Sequence, residues 1–370
     1  MSSMTDTTPN TILAADPNGT PPSRNRTSRR RPLFTRFRFW VKIWLMKSMT
    51  TLLFKLMRFA NRRKLRTFHP SYTKHYDVRP DLENRVFIPR GGSGSDSDTT
   101  ASADRKYPLL ITIHGGGFAL CDPTLDDEIN RTFADTHSFV VVSVNYHKSP
   151  AVYFPSTVHD VGAIVSSVIA DATLPIDTSR GVNIAGFSAG GNLALAVSQL
   201  PDVRDKIRSI VPFYPVVDFT GTHKGAFRTK PAAPNGGAKA QEDMLKDLGP
   251  LFDWAYIAPG TDLADPLLSP VCATRQELPQ RIFFVTAEYD YLCHEAEVMA
   301  RKLADLDTTV TWTPGTGKGS EWEQNGIRWR MVPDVTHSWT HMPLKDVEAE
   351  KKRRERLVVL YQEVAEWLKQ

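Results

Sequence analysis

The residues with the clearest chemical meaning form the pentapeptide G-F-S-A-G at positions 186–190. An apolar run that predicts a strand, residues 182–185, leads into it, and a run that predicts a helix, residues 191–197, follows it. A serine at so sharp a strand-to-helix turn needs a backbone conformation that neighbouring side chains would obstruct, and the two glycines remove that obstruction. The helix N-terminus behind the serine also favours negative charge. We therefore predict that Ser188 is a nucleophile.

A second glycine-rich motif, H-G-G-G-F at positions 114–118, ends the apolar strand predicted over residues 109–113. Nucleophilic attack on an ester carbonyl creates an oxyanion, which backbone N–H groups stabilise when no side chain blocks their approach. A run of three glycines provides such a loop, and the residue after the nucleophile provides a donor from the other side. We assign this predicted oxyanion hole to Gly115, Gly116, Gly117 and Ala189, with Gly115 shaping the loop.

These motifs resemble the α/β-hydrolase fold and, within it, the esterases and lipases similar to hormone-sensitive lipase, which carry HGGG and GxSAGG. The resemblance extends from residue 107 to the C-terminus. It implies the α/β class, with a mostly parallel central sheet flanked by helices and a helical cap. It also implies a serine carboxylic-ester hydrolase that forms a covalent acyl-enzyme and needs no cofactor and no metal. His114 would shape the glycine loop and take no part in proton transfer.

Three places depart from the family's pattern. Phe187 stands where the family usually has an aspartate, and residues 146–150 read Y-H-K-S-P in place of Y-R-L-A-P. The helix after Asp160 lacks the expected tryptophan. These differences leave the fold prediction intact and the subfamily open.

The acid of a catalytic triad follows the serine and precedes the histidine in this fold. Residues 281–286 predict an apolar strand, and residues 287–292 form the loop after it. The resemblance places the acid at Asp290, whose carboxylate would accept the Nδ1–H of the histidine and stabilise its charged form. Glu288 stays an alternative, because a carboxylate two residues away could also reach the histidine.

The histidine is expected on a loop after the last strand, which the pattern of residues 327–332 predicts. We predict that His337 is the base, taking the proton from the serine and returning it to the leaving alcohol. The family carries an aromatic residue two positions after this histidine, and Trp339 matches it. His341 is the rival on the same loop, and His294 is predicted to be structural.

Charge is distributed unevenly along the 370 residues, whose formal net charge is +5. Residues 1–66 hold 15 Lys and Arg against 2 Asp and Glu, whereas the remainder holds 31 against 39. The positive charge therefore belongs to the N-terminus, and the catalytic body is mildly acidic. The hydrophobic content of 41% is enough for one large α/β domain.

The N-terminal region is predicted to have two parts. Residues 1–28 are polar, lack apolar anchors and are expected to be a disordered leader. Residues 29–75 are expected to be a basic, amphipathic helical segment whose lysines interrupt any apolar run before the ~18–20 residues that span a bilayer. One side of that helix carries Arg36, Lys47, Lys55, Arg58 and Arg62, and the other carries Leu45, Met49, Leu52, Leu53, Leu56 and Ala60. Three interpretations stay open: residues 29–66 lie on a membrane surface, the segment packs as part of a cap over the site, or it targets the protein to an organelle.

The remaining sequence, residues 76–370, is predicted to be the catalytic domain. A cap insertion is expected at about residues 219–263, where the α/β rhythm breaks, and a flexible loop at residues 91–104. Residues 313–325 are expected to be a polar insertion between the last two strands, with no assigned function. Residues 345–369 predict a closing helix.

The three cysteines, Cys121, Cys272 and Cys293, form neither a disulfide framework nor a metal-ligand pattern. They favour a reducing compartment, so we predict a cytoplasmic location, peripheral on an intracellular membrane if the N-terminal segment binds lipid. The predicted partner is a small-molecule or lipid ester substrate, and nothing beyond charge supports nucleic-acid binding. Two other functions stay open: an acyltransferase or biosynthetic tailoring hydrolase on the same fold, and a non-catalytic ligand-binding receptor.

Overall fold

The computed structural model describes residues 27–60, 62–90, 105–223, 229–230, 241–309 and 319–370. The strands in these ranges are β1 (Tyr72–Tyr76), β2 (Arg79–Phe87), β3 (Leu109–Ile113), β4 (Val140–Val144), β5 (Val182–Phe187), β6 (Ile207–Phe213), β7 (Thr229–Lys230), β8 (Gln241–Glu242), β9 (Arg281–Tyr289), β10 (Ser320–Gln324) and β11 (Ile327–Thr336). The helices are α1 (Leu33–Ala60), α2 (Arg62–Leu65), α3 (Asp127–Asp135), α4 (Ser156–Ile169), α5 (Ala189–Val197), α6 (Pro201–Arg204), α7 (Leu245–Tyr256), α8 (Cys293–Leu303) and α9 (Val347–Lys369).

One large sheet organises the molecule, with the strand order β1-β2-β4-β3-β5-β6-β9-β11-β10. The neighbours from β4 to β11 run parallel, whereas β1, β2 and β10 pair antiparallel at the two edges. Parallel neighbours need long crossover connections, usually helices, and those helices cover both faces of the sheet. The predicted α/β-hydrolase fold with a mostly parallel sheet is therefore confirmed.

The core lies on both faces of this sheet because successive side chains of a strand point to opposite sides. In β4, Val140, Val142 and Val144 belong to the core under α4, α5 and α8, whereas Val141 belongs to the core under α3 and α9. Ile113 at the end of β3 lies beside Gly186 of β5. The loops that follow these parallel strands consequently meet at one edge of the sheet, where a site is expected.

The long helix α1 packs on the body through a small contact. Ile43 is its buried residue, and it lies against Ala119 and against Leu251 and Ala255 of α7. The predicted apolar face does not take part: Leu45, Met49, Leu52, Leu53 and Leu56 are 55–61% exposed. Within the described ranges, no helix combines the length and the apolar run that crossing a bilayer requires.

Two expectations from the sequence differ from the structure. Residues 320–324 form β10, which pairs with β11 as a hairpin, so the prediction of an insertion is wrong for this part of residues 313–325. Charged residues in this edge strand make its sequence pattern hard to recognise as a strand. Such residues are common at sheet edges, where they prevent pairing with other chains. Tyr72–Tyr76, placed in the N-terminal helical segment, instead form the edge strand β1.

Several predictions fall on residues outside the described ranges: the leader over 1–26, the loop at 91–104 and the Gly/Pro/Ala-rich part of the cap at 231–240. The last two residues of the predicted leader are held on the body. Thr27 forms a bridge with Asp262, and the Ser28 N–H donates to the Thr261 carbonyl at 2.9 Å.

Candidate active site

Ser188 is the single residue between β5 and α5. Its backbone angles, φ of 54° and ψ of −116°, lie in a region that residues other than glycine rarely adopt. Two hydrogen bonds hold the turn: the Ser188 N–H donates to the Phe213 carbonyl of β6 at 2.9 Å, and the Ser188 carbonyl accepts the Gly191 N–H at 2.9 Å. Strained backbone of this kind is characteristic of functional positions.

Glycines make this turn possible by allowing backbone segments to touch. A Cβ atom at Gly186 would lie 2.1 Å from the carbonyl oxygen of Gly190. A Cβ atom at Gly190 would lie 2.0 Å from the carbonyl oxygen of Ile113, the last residue of β3. The two glycines of the G-x-S-x-G pattern are therefore required because a side chain at either position would clash with backbone.

The glycine loop after β3 lies against this elbow. Gly116 and Gly117 have φ values of 117° and 58°, in the region that favours glycine. A Cβ atom at Gly115 would lie 2.9 Å from the carbonyl oxygen of Phe187. Gly117, Ser188 and Ala189 line one cavity, so the residues predicted to bind an oxyanion border the nucleophile.

His114 is fully buried beside the loop and contacts its backbone. Its Nδ1 lies 2.6 Å from the Gly115 carbonyl oxygen, and its ring stacks on Tyr146 with centroids 4.5 Å apart. The Tyr146 hydroxyl donates to the His114 carbonyl at 3.1 Å. Burial holds the pKa of His114 well below its ordinary value, so the ring is neutral and donates from Nδ1. These contacts fit the loop-shaping role predicted for His114.

Ser188, His337 and Asp290 are joined by two hydrogen bonds. The Ser188 hydroxyl lies 2.9 Å from Nε2 of His337, and Nδ1 of His337 lies 2.8 Å from a carboxylate oxygen of Asp290. The other Asp290 oxygen accepts the Leu292 N–H at 2.8 Å, which fixes the carboxylate. Nucleophile, base and orienting acid in hydrogen-bond reach are the arrangement that activates a serine.

The two competing residues lie elsewhere. Glu288 is buried on β9, and its carboxylate accepts the N–H of Asp334 at 2.7 Å. It therefore supports the end of β11, which leads directly into His337. The Nε2 of His341 lies 2.8 Å from buried Asp126, and its Nδ1 lies 3.1 Å from the Tyr214 hydroxyl.

Sequence reasoning missed Asp243, a buried residue just before α7. One carboxylate oxygen of Asp243, one of Asp290 and a ring nitrogen of His337 lie within 4.8 Å of one another. The Asp243 oxygens accept the N–H groups of Leu245 at 2.9 Å and Tyr291 at 2.7 Å. Because both ring nitrogens of His337 already contact Asp290 and Ser188, we interpret the group as a carboxylate pair around a histidine rather than as a metal site.

This carboxylate pair changes the electrostatics of the histidine. Burial alone would lower the pKa of His337, but the negative charges of Asp290 and Asp243 outweigh burial and raise it above its ordinary value. Burial, reinforced by Asp290, raises the pKa of Asp243 as well. The structure thus favours a charged imidazolium, the form that a general base reaches after taking a proton.

A cavity of about 110 Å³ opens beside Ser188. Its apolar boundary includes Phe118, Val216, Phe219 and Phe252, and α7 supplies one side of it. The Phe118 ring stacks on Tyr256 with centroids 3.8 Å apart, which fixes the floor of the cavity. Helix α7, part of the predicted cap insertion, thus borders the space in which a substrate would lie.

Comparisons with known proteins identify the family of this chain. A model of the alpha/beta hydrolase fold matches residues 110–321, more than half of the chain. The chain is 34% identical to an arylesterase of Saccharolobus solfataricus, over 53% of this chain and 62% of that protein. It is 36% identical to neutral cholesterol ester hydrolase 1 of Mus musculus, over 55% of this chain and 64% of that protein. The chain thus spans less than two thirds of the length of these relatives.

Solved structures give the same result for the fold. A thermophilic carboxylesterase cloned from a metagenomic library superposes with a TM-score of 0.60 and 26% identity, over 85% of this chain and 97% of that one. A hyperthermophilic esterase of Pyrobaculum calidifontis superposes with a TM-score of 0.61 over 91% of this chain and 97% of that one, but at 21% identity it shows the fold alone. The chain belongs to the α/β-hydrolase fold family, in the branch similar to hormone-sensitive lipase.

Proposed function

We propose that this chain is a serine carboxylic-ester hydrolase with Ser188, His337 and Asp290 as its catalytic triad. The observation that carries the proposal is the unbroken pair of hydrogen bonds, 2.9 Å from serine to histidine and 2.8 Å from histidine to aspartate. The relatives named as ester hydrolases support it. This arrangement activates a hydroxyl that is otherwise a weak nucleophile.

The reaction would proceed in two balanced halves. The Ser188 oxygen bonds to the acyl carbon while Nε2 of His337 takes the hydroxyl proton and the carbonyl electron pair moves to oxygen. The N–H groups of Gly116, Gly117 and Ala189 stabilise that oxyanion. Its collapse breaks the bond to the alcohol, which leaves with the proton from His337. Water then repeats the sequence on the acyl-enzyme and releases the carboxylic acid.

The size of the cavity beside Ser188 indicates a small-molecule or lipid ester with a compact acyl group. Its volume of about 110 Å³ is small beside the roughly 300–1,000 Å³ of pockets that hold drug-sized ligands. In a p-nitrophenyl ester series we therefore expect the highest kcat/KM for acyl chains of about two to six carbons. The measurement is the initial rate across the series at fixed enzyme concentration.

The aromatic side of the cavity provides a matched variant for this series. Phe252→Ala removes a ring that lies over Gly117, so it should shift the optimum towards longer chains. Tyr153→Ala removes an aromatic side chain that is 41% exposed and outside the cavity, and it should leave the optimum unchanged. An absence of hydrolysis for every ester, with the protein folded, would contradict the proposed function.

A second part of the proposal concerns the membrane. Helix α1 exposes large apolar side chains along its length, from 39% for Trp44 to 77% for Leu33, in a strongly basic segment. Exposed apolar side chains that follow one another along a helix are typical of a contact with a protein or a membrane. An exposed apolar face flanked by lysine and arginine fits the surface of an anionic bilayer. The three cysteines form no disulfide, which supports a reducing compartment, so we propose that the protein lies on the cytoplasmic side of an intracellular membrane.

Vesicle binding tests this placement. Changing both Leu52 and Leu53 to serine should weaken sedimentation with anionic vesicles by roughly a hundredfold or more, since each buried leucine contributes about 1.5–3 kcal/mol. The control changes Val358 and Val359 of α9, which are 69% and 61% exposed, to serine. Equal losses in the two double variants would show that general hydrophobicity, not α1, drives binding.

The carboxylate pair predicts a pH dependence. The proposed base works only when neutral, so activity should rise with pH through a His337 pKa above the ordinary value of about 6.5. Asp243→Asn removes one of the charges that raise this pKa, so the acidic limb of kcat/KM should move down by about one pH unit. The shift is expected at pH values where Asp243 is ionised. The measurement is kcat/KM from about pH 5 to 9, a range that brackets the pKa of a histidine.

The control for this variant is Asp247→Asn on α7. Asp247 is exposed, so its loss changes the net charge equally but should leave the acidic limb in place. Asp290 and the ring of Tyr214, whose centroid lies 5.0 Å from that of His337, stay unchanged in both variants. An acidic limb that does not move in Asp243→Asn would exclude Asp243 as a residue that tunes the base.

A further inference from the structure

The second half of α1 turns its polar side, not its apolar side, towards the protein. Lys47, Thr50, Phe54 and Arg58 are partly buried at helical spacing, while the leucines between them are exposed. An amphipathic helix normally buries its apolar stripe. When a polar stripe faces the protein instead, its polar groups need hydrogen-bond or charge partners in the space between the helix and the body.

That space is a cavity of about 200 Å³ between α1 and the chain that continues the glycine loop. The helix contributes Lys47, Thr50, Thr51, Phe54, Lys55 and Arg58 to its boundary. The opposite side is formed by residues 119–122 and by Lys148. We call this space the basic cavity, and it is separate from the cavity beside Ser188.

Positive charge exceeds negative charge among the residues that line the basic cavity. Lys47, Lys55, Arg58 and Lys148 line it, and Asp122 is the carboxylate among its lining residues. Arg58 pairs with this carboxylate, with N–O distances of 3.0 and 3.2 Å. One acidic side chain therefore faces four basic ones.

The two lysines nearest the body have neutral hydrogen-bond acceptors. The Lys47 ammonium donates to the Ser149 carbonyl at 2.9 Å. The Lys148 ammonium donates to the Asn145 side-chain oxygen at 2.7 Å and to the Tyr146 carbonyl at 2.5 Å. Burial lowers the pKa of Lys47, and it lowers the pKa of Lys148 to about 7. Burying cations without counterions is costly, and an anion in the cavity would offset that cost.

We propose that the basic cavity binds a phosphate-type anion, either free phosphate or the headgroup of an acidic phospholipid. Lysine and arginine ammonium and guanidinium groups bind phosphate oxygens through charge-assisted hydrogen bonds. The hydroxyl groups of Thr50 and Thr51 add neutral donors at the same boundary. The exposed leucines of the same helix would place a bound headgroup at the level of the membrane surface.

The direct test is calorimetric titration of the full chain with inorganic phosphate. Removing one charged donor should weaken binding about tenfold, the effect of a lost charge-assisted hydrogen bond. We expect this loss for Lys148→Met and for Lys55→Gln. Because Lys55 is exposed, its replacement should not disturb folding, and weaker binding in that variant would report on the site itself. The control is Lys42→Gln, an exposed lysine of α1 outside the cavity, which should bind like the wild type.

A vesicle arm distinguishes the two sources of phosphate. Flotation compares phosphatidylcholine vesicles with vesicles that also contain phosphatidic acid. If inorganic phosphate binds and the cavity variants lose that binding, a free phosphate group is sufficient. If only phosphatidic acid vesicles bind, and both the cavity variants and the Leu52/Leu53 double serine variant lose binding, the ligand is a headgroup. Binding that is absent in both arms, or that Lys42→Gln weakens as much as Lys55→Gln does, would overturn the proposal.

Amine modification gives an independent readout at Lys148. A lysine with a pKa near 7 is largely neutral at pH 8, so acetic anhydride should modify Lys148 faster than Lys42 in peptide mass spectra. Phosphate should slow the modification of Lys148 at least fivefold and leave Lys42 unaffected. Equal protection of both lysines would overturn the site. Neither readout requires ester hydrolysis, so the proposed activity and the proposed anion site can fail separately.

Discussion

Replacing Ser188 by alanine should lower the kcat for p-nitrophenyl acetate by about 10⁵-fold or more while leaving the protein folded. The change removes one oxygen atom from the turn, and the backbone hydrogen bonds to Phe213 and Gly191 remain. Labelling by a fluorophosphonate probe should be complete in the wild type and absent in the variant. Circular dichroism and thermal unfolding should be the same for both proteins. A folded wild type that is not labelled would favour a non-catalytic receptor.

The neighbouring carboxylates supply the control for the triad. Asp290→Asn should lower kcat by about 10⁴-fold, because the histidine would lose the acceptor that sets its tautomer. Glu288→Gln should be far less damaging to kcat, since the Glu288 carboxylate accepts the backbone N–H of Asp334. Greater loss in Glu288→Gln than in Asp290→Asn would mean that the acid has been assigned wrongly.

The fold and the geometry around Ser188 could be predicted because local sterics and chain order determine them. Gly186 and Gly190 allow backbone contacts that any Cβ atom would prevent, so the pattern G-x-S-x-G specifies a shape as well as a chemistry. The apolar runs of β3 and β5 predict strands buried on both faces, and parallel strands bring their following loops to one edge. Asp290 and His337 follow such strands, which is why their positions could be proposed.

The rest depends on contacts between distant parts of the chain. Asp243 lies in a loop without a motif, and it matters because folding brings it beside Asp290, 47 residues later. The two sides of α1 could be read from its sequence, but which side faces the protein depends on contacts with distant residues, such as the Arg58 ion pair with Asp122 and the Lys47 hydrogen bond to the Ser149 carbonyl. Strand β10 was missed because its charged residues hide the alternation of an edge strand.

The packing of the elbow gives the second large effect, on stability rather than on chemistry. Gly190→Ala should lower the free energy of unfolding by about 3 kcal/mol, the upper end of the usual cost of overpacking, because the added atom would displace backbone. The Cβ atom would meet the Ile113 carbonyl oxygen at 2.0 Å, and neither partner is a flexible side chain that could move away. Strand β3 would have to separate from β5.

The matched control is Gly249→Ala in α7, where a Cβ atom meets nothing within 4 Å beyond the neighbouring residues. Alanine is favoured over glycine inside a helix by about 0.5–1 kcal/mol, but its Cβ atom would crowd the ring of Pro250, so the free energy of unfolding should stay within about 1 kcal/mol of the wild type. Thermal unfolding of both variants beside the wild type measures the difference, and activity of Gly190→Ala should fall with it because Gly115 to Gly117 follow β3 directly. If Gly190→Ala unfolds at the wild-type temperature, β3 and the elbow are not in the contact that the structure shows, and the position of the oxyanion loop beside Ser188 loses its basis.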